Sequence, residues 1–126
     1  DDSGVAVDAL NGAPGIYSAR YAPTVAERNA KLLTVLADVP LEQRGARFIC
    51  AIAIMFPGGL TLLGEGEVVG RITFAPRGTF GHGYDPVFEL PDGLTFAERP
   101  TGEKNLISHR GRAFAALLPA LRCLVN

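Results

Sequence analysis

The segment ARFICAIAIMF, residues 46–56, constrains the fold more than any other part of this chain. Phe48, Cys50, Ile52 and Ile54 fall on one side of a pleat, and Ile49, Ala51, Ala53 and Met55 on the other. Side chains alternate across a strand, so both faces of this one read as apolar. A strand covered on both sides belongs in the middle of a layered α/β sheet. PGG at 57–59 turns the chain, and LTLLGEGEVVGRITF at 60–74 runs back as the second strand of a hairpin. In that return strand Glu65, Glu67 and Arg71 share a face, expected to be exposed and polar. Gly64, Gly66 and Gly70 share the other, a spacing that predicts a neighbour packed against bare backbone, or a bulge.

The rest of the chain arranges itself around this hairpin. Val5 and Val7 alternate with small or polar residues and predict a short strand, followed by turn chemistry in NGAPG at 11–15. A helix is predicted over 24–38, opened by a capping box of Thr24 and Glu27, with Val25, Leu32, Leu33 and Leu36 on one face. Asn29 lies on that same face, so its amide needs a buried partner, and a structural hydrogen bond is expected in preference to a ligand contact. Residues 75–100 read as loop with a short strand near PVFEL. Residues 101–125 read as a helix with Leu106, Ile107, Phe114, Leu117, Leu118, Leu121 and Val125 in a stripe, kinked at Pro119. The expected fold class is α/β, a layered domain with a mixed central sheet flanked by helices.

Bulk properties narrow the function. At 126 residues, 48% hydrophobic and 20% charged, the chain suits one domain with a real core. A net charge of −1 supplies no basic field for a nucleic acid polymer. The longest apolar run, FICAIAIMF at 48–56, is strand-sized and far short of the ~18 residues a membrane helix needs. Cys50 and Cys123 have no metal-site spacing and read as buried thiols of a reducing compartment, by default the cytoplasm.

Three clusters carry groups capable of chemistry. DDSG at 1–4 offers Asp1 and Asp2 as hard oxygen ligands for Mg²⁺, with Gly4 allowing close backbone approach to a phosphate; acidic pairs at strand ends are also commonly just solvated. GTFGHGYDPVF at 78–88 sets His82, Tyr84 and Asp85 among glycines, with Pro86 holding Asp85 extended. The two rings suit stacking on a base, while the alternative is a glycine-rich turn closed by an Asx hydrogen bond. EKNLISHRG at 103–111 gathers Lys104, His109 and Arg110. Arg110 in a helical stripe would need an anion, which Glu65, Glu67 or Asp85 could provide internally; otherwise the helix breaks near Ser108. Together, metal-binding carboxylates, a cationic group and a loop of planar residues are what a nucleoside polyphosphate site requires.

Motifs in order along nearly the whole chain, DDSGVAVDALNGAPGIYSARYA, GEVVGRI, APRGTFGHGYDPVF, TFAE and EKNLISHRGRA, resemble the inosine triphosphate pyrophosphatase family. The resemblance implies Mg²⁺-dependent cleavage of deaminated purine nucleoside triphosphates (ITP, dITP, XTP) between the α and β phosphates, usually by a homodimer, clearing such purines from the nucleotide pool. By motif, Asp2 matches the family's catalytic acid, which binds Mg²⁺ and acts as base toward water. Asp1 would support it and Ser3 would contact substrate. His82, Gly83, Tyr84 and Asp85 match the loop that wraps the base. Lys104 matches a substrate-contacting lysine, and His109 with Arg110 the pair at the purine.

Two departures carry expectations of their own. His82 stands where the family usually has Phe, so the ring stacks over less area and adds a titratable group. The family's N-terminal part, with its phosphate-binding loop, is missing, so residues 1–126 are expected to be the C-terminal major portion of a single domain. A second function class stays open on that ground, a non-catalytic nucleotide-binding or dimerisation module on the same scaffold. A related branch of pyrophosphatases, the Maf type, would show itself by a pyrimidine preference.

Overall fold

The computed structural model describes residues 2–100 and 115–116. Among the described residues four strands pair in chain order: β1 (Asp2–Val7), β2 (Gly45–Met55), β3 (Thr61–Ile72) and β4 (Phe88–Glu89). Every pairing among them is antiparallel, so a parallel member of the expected mixed sheet does not occur among the described strands. The PGG turn closes the β2–β3 hairpin through Phe56 N–H to the Leu60 carbonyl at 2.8 Å, with Gly58 and Gly59 both at φ 96°. Such positive φ values are open to glycine at little cost.

One face of this sheet holds the core. Val5 lies opposite Phe48, Phe48 opposite Val68, and Ile72 opposite Phe88, all buried. Phe48, Phe88 and Phe96 form an aromatic cluster with centroid separations of 4.6, 5.6 and 5.9 Å. Gly70 admits it, because a Cβ there would sit 2.7 Å from the Phe88 ring and inside the Glu89 carbonyl. Of the two alternatives for these glycines, close packing against bare backbone is realised at Gly70.

The two-sided coverage expected of β2 is not observed. Ala46, Phe48 and Cys50 are buried, but Arg47, Ala51 and Ala53 on the other side are exposed, as are Met55 (77%) and Leu63 (77%) near the hairpin end. Arg47, Ala51 and Ala53 are charged or small and lose little by facing water.

Helix α1 (Val25–Val35) begins with the predicted capping box: Thr24 Oγ1 accepts from Glu27 N–H at 3.2 Å and Glu27 Oε2 from Thr24 N–H at 3.3 Å. Leu32 and Leu36 are buried, whereas Val25 is exposed at the first turn. The helix stops short of residue 38, and the carbonyls of Leu36 and Val39 just past its end are taken by Arg44. Arg44, 1% exposed, donates to the carbonyls of Leu36 (2.5 Å), Val39 (3.2 Å), Ile72 (2.9 Å) and Thr73 (2.7 Å). Pro40 also disfavours a helical Val39. One guanidinium thus ties the end of α1 to the end of β3, and its burial lowers its pKa. Residues 101–114 and 117–126, with the kink predicted at Pro119 and the thiol of Cys123, lie outside the described residues.

Candidate active site

The site starts at the edge strand β1. Asp2 opens it opposite Ala51, and Ser3 follows opposite Cys50. Ser3 Oγ is buried and has no hydrogen-bond partner among the described residues. A 3₁₀ turn, Gly15–Arg20, presses on Gly4 so closely that a Cβ there would lie 2.6 Å from the Gly15 carbonyl. Ser18, in that turn, fixes the strand: its Oγ accepts from Val5 N–H at 3.0 Å and donates to the Gly15 carbonyl at 2.6 Å.

The same Ser18 holds the glycine-framed loop. Its carbonyl accepts from the Tyr84 hydroxyl at 2.6 Å. Tyr84 is 6% exposed and packs in the core, and burial pushes its hydroxyl pKa up to about 12. The sequence reading offered Tyr84 as a planar contact for a base; in the fold its ring is an internal anchor instead. His82, between Gly81 (φ 76°) and Gly83 (φ 59°), keeps an exposed side chain. Its N–H donates to Asp85 Oδ2 at 2.9 Å, and its carbonyl accepts from Asp85 N–H at 3.1 Å. Asp85 is buried and opens a 3₁₀ turn, Asp85–Val87, while its carboxylate reaches back three residues to close the glycine-framed turn. A Cβ at Gly81 would strike the Asp85 carboxylate, which is why a glycine stands there. From α1, Asn29 Nδ2 donates to the Gly83 carbonyl at 3.1 Å, the buried partner its position required.

A second layer supports this loop and was not singled out from sequence. Thr95 Oγ1 donates to the Arg77 carbonyl at 2.8 Å and Phe80 N–H to the Ala97 carbonyl at 2.9 Å. Gly78 (φ 94°) lies so close to the backbone of Ala97 that no side chain fits. Thr95 and Glu98 form a reciprocal cap, which gives TFAE a structural purpose. Buried Glu89 accepts from Arg71 Nε at 2.5 Å and from an Arg77 terminal nitrogen at 2.6 Å. Arg71, on the Glu65 and Glu67 face of β3, thus pairs across the sheet with the carboxylate directly opposite it on β4. The sequence placed Arg71 on an exposed polar face and named no partner for it; Glu89 comes from a strand 18 residues further along.

Two of the three chemical clusters are thus joined through Ser18. Asp1, Lys104, His109 and Arg110 lie outside the described residues, and for Asp2 the description stops at the backbone. Among the described residues no three His, Cys, Asp or Glu side chains converge on a common point.

The fold belongs with α/β proteins of known structure. The Staphylococcus aureus Ham1 protein superposes with a TM-score of 0.89 at 40% identity, over 96% of this chain and 64% of that one. A nucleoside-triphosphatase / dITP/XTP pyrophosphatase from Mycobacterium abscessus gives 0.78 at 48% identity, over 94% and 64%. A profile of the Ham1 family matches residues 1–120, and the chain belongs to that family. A relative from Symbiobacterium thermophilum named dITP/XTP pyrophosphatase is 49% identical over all of this chain. One of the same name from Geobacter sulfurreducens is 53% identical over 93% of it. The chain spans 64% and 61% of the lengths of these two relatives.

Proposed function

We propose that the protein carrying this chain is a Mg²⁺-dependent pyrophosphatase of deaminated purine nucleoside triphosphates, with ITP, dITP and XTP as substrates. Residues 1–126 would then be the larger, C-terminal portion of one such domain. The observation that carries the reading is the double engagement of Ser18. It fixes β1, which starts with the candidate base Asp2, and through Tyr84 it fixes the loop that would meet the purine. The names of the relatives in this family point the same way.

In this reading Asp2 accepts a proton from water as its oxygen attacks the α-phosphorus. The bond from that phosphorus to the α–β bridging oxygen breaks, releasing a nucleoside monophosphate and pyrophosphate. Lys104 stabilises charge gathering on the departing pyrophosphate, and Ser3 contacts the substrate. His82 offers its exposed ring to the base, Gly83 and Asp85 shape the backbone beside it, and His109 with Arg110 face the 6-keto edge. Groups matched to a keto oxygen are left mispaired against the amino group of ATP, which discriminates without editing. Asp1 and Asp2 carry hard oxygens next in sequence to Ser3, whose buried hydroxyl has no partner among the described residues, a chemistry that fits Mg²⁺. Asp2, supported by Asp1, would hold the ion, which when bound neutralises charge on the phosphate oxygens. We further propose a homodimer located in the cytoplasm, in keeping with the buried free thiol of Cys50.

The test is pyrophosphate release from ITP by the full-length protein, with and without Mg²⁺, beside its Asp2→Asn variant. Release should require Mg²⁺ and fall by roughly 10³-fold in the variant, with the melting temperature little changed. Wild-type turnover in Asp2→Asn would reject the base. Tight ITP binding without release would favour the nucleotide-binding module.

A further inference from the structure

We propose that Asn29 is a positioning residue for the loop that carries His82, an inference that rests on the reading of that loop as the purine contact. Asn29 sits on the core-facing side of α1 and is 6% exposed. Only half of its amide is used. Nδ2 donates to the Gly83 carbonyl, 54 residues further along the chain, while buried Oδ1 has no partner among the described residues. An unpaired amide oxygen in a core is a standing cost that Leu at the same place would avoid. The side chain therefore makes poor sense as packing and good sense as a device for holding one carbonyl.

That carbonyl sits at the most adjustable point of the loop. Gly81 and Gly83 both occupy left-handed backbone, and His82 between them bonds, among the described residues, through its main chain to Asp85. On either side the chain is already fixed, by Phe80 to Ala97 and by the Tyr84 hydroxyl to Ser18. Asn29 closes the remaining freedom at Gly83, so the exposed imidazole is held at a set position before any ligand arrives. Preorganisation of this kind lowers the ordering cost of binding and leaves the chemical step alone.

The experiment compares Asn29→Leu, Asn29→Ser and His82→Ala in the full-length enzyme, measuring kcat and KM for dITP, melting temperature and amide exchange at His82 and Gly83. Asn29→Leu should melt at or above the wild-type temperature, raise KM about tenfold and change kcat less than about threefold. Exchange at the two loop amides should accelerate while exchange in β2 stays constant. Asn29→Ser, too short to reach Gly83, should show the same KM and exchange pattern. Folded variants with unchanged KM and unchanged loop exchange would overturn the proposal, as would failure of both to fold, which would make Asn29 a packing residue. If His82→Ala raises KM and the Asn29 variants do not, the positioning role alone fails. If none of the three alters KM, the purine-loop reading fails with it.

Discussion

The Tyr84 hydroxyl donates to the backbone carbonyl of Ser18 at 2.6 Å, a bond across 66 residues of sequence. Ser18 in turn holds Val5 of the strand that starts at Asp2, so a phenol and a serine connect two regions that the sequence leaves far apart. The bond is buried and joins two 3₁₀ segments, Gly15–Arg20 and the turn that follows Tyr84.

Tyr84→Phe keeps the ring in the core and removes only this bond. Stability should fall by about 1–2 kcal/mol, because the buried Ser18 carbonyl is left without its donor. The pH dependence gives a sharper signature. Burial raises the Tyr84 pKa from 10.0 to about 12, so the folded state favours the neutral phenol. That contribution is complete below pH 10 and is lost as pH rises toward about 12. Urea midpoints of wild type and Tyr84→Phe should therefore converge between those two values. Parallel curves across that window would show that the hydroxyl is not held as described.

His82→Phe tests the surface of the loop rather than its frame. The hydrogen bonds His82 makes within the loop use backbone atoms, and its side chain is exposed, so Phe should leave the loop intact. A larger ring adds stacking area on a base, worth up to about 1 kcal/mol, or roughly fivefold in affinity. Titration calorimetry with a deaminated purine nucleotide should find binding unchanged or tighter. A large weakening would mean that the imidazole makes a specific hydrogen bond to the ligand.

What was legible in the sequence was local or set by spacing. The Thr24–Glu27 box needs only neighbouring residues, and it formed as read. The PGG turn defined the hairpin, and the glycine row on β3 announced the close approach at Gly70. Asn29 was legible as a polar group needing a partner, but its partner Gly83 is set by tertiary packing. Whether the ring of Tyr84 faces out or in depends on the turn at Ser18 lying across from it, which no local pattern encodes. The apolar letters of β2 overstated its coverage because alanine reads as hydrophobic yet tolerates water.

Arg44 escaped the sequence reading altogether, and it yields a strong stability prediction. Its partners are carbonyls of residues 36, 39, 72 and 73, so nothing near it in sequence marks it as buried. Arg44→Met preserves much of the volume and strands several buried carbonyls. A loss of about 3 kcal/mol or more is expected in urea denaturation. Arg44→Lys should recover little, since one ammonium cannot span four acceptors on two elements. A loss below about 1 kcal/mol for Met would show that water satisfies those carbonyls.

Gly70→Ala probes how tightly the sheet and loop are coupled. A Cβ at that position meets the Phe88 ring at 2.7 Å, and that ring cannot retreat freely because it stacks on Phe96 at 5.6 Å. Its other neighbour is the Glu89 carbonyl, main chain rather than a flexible side-chain tip. Overpacking of this kind costs about 1–3 kcal/mol. Glu89 also carries the ion pairs to Arg71 and Arg77, so displacing β4 should loosen the segment from Arg77 to Phe80 that frames the loop. The variant should show a lower urea midpoint together with faster amide exchange at Phe80. A lower midpoint with Phe80 exchange unchanged would show that β4 yields locally, without transmitting the strain to the loop.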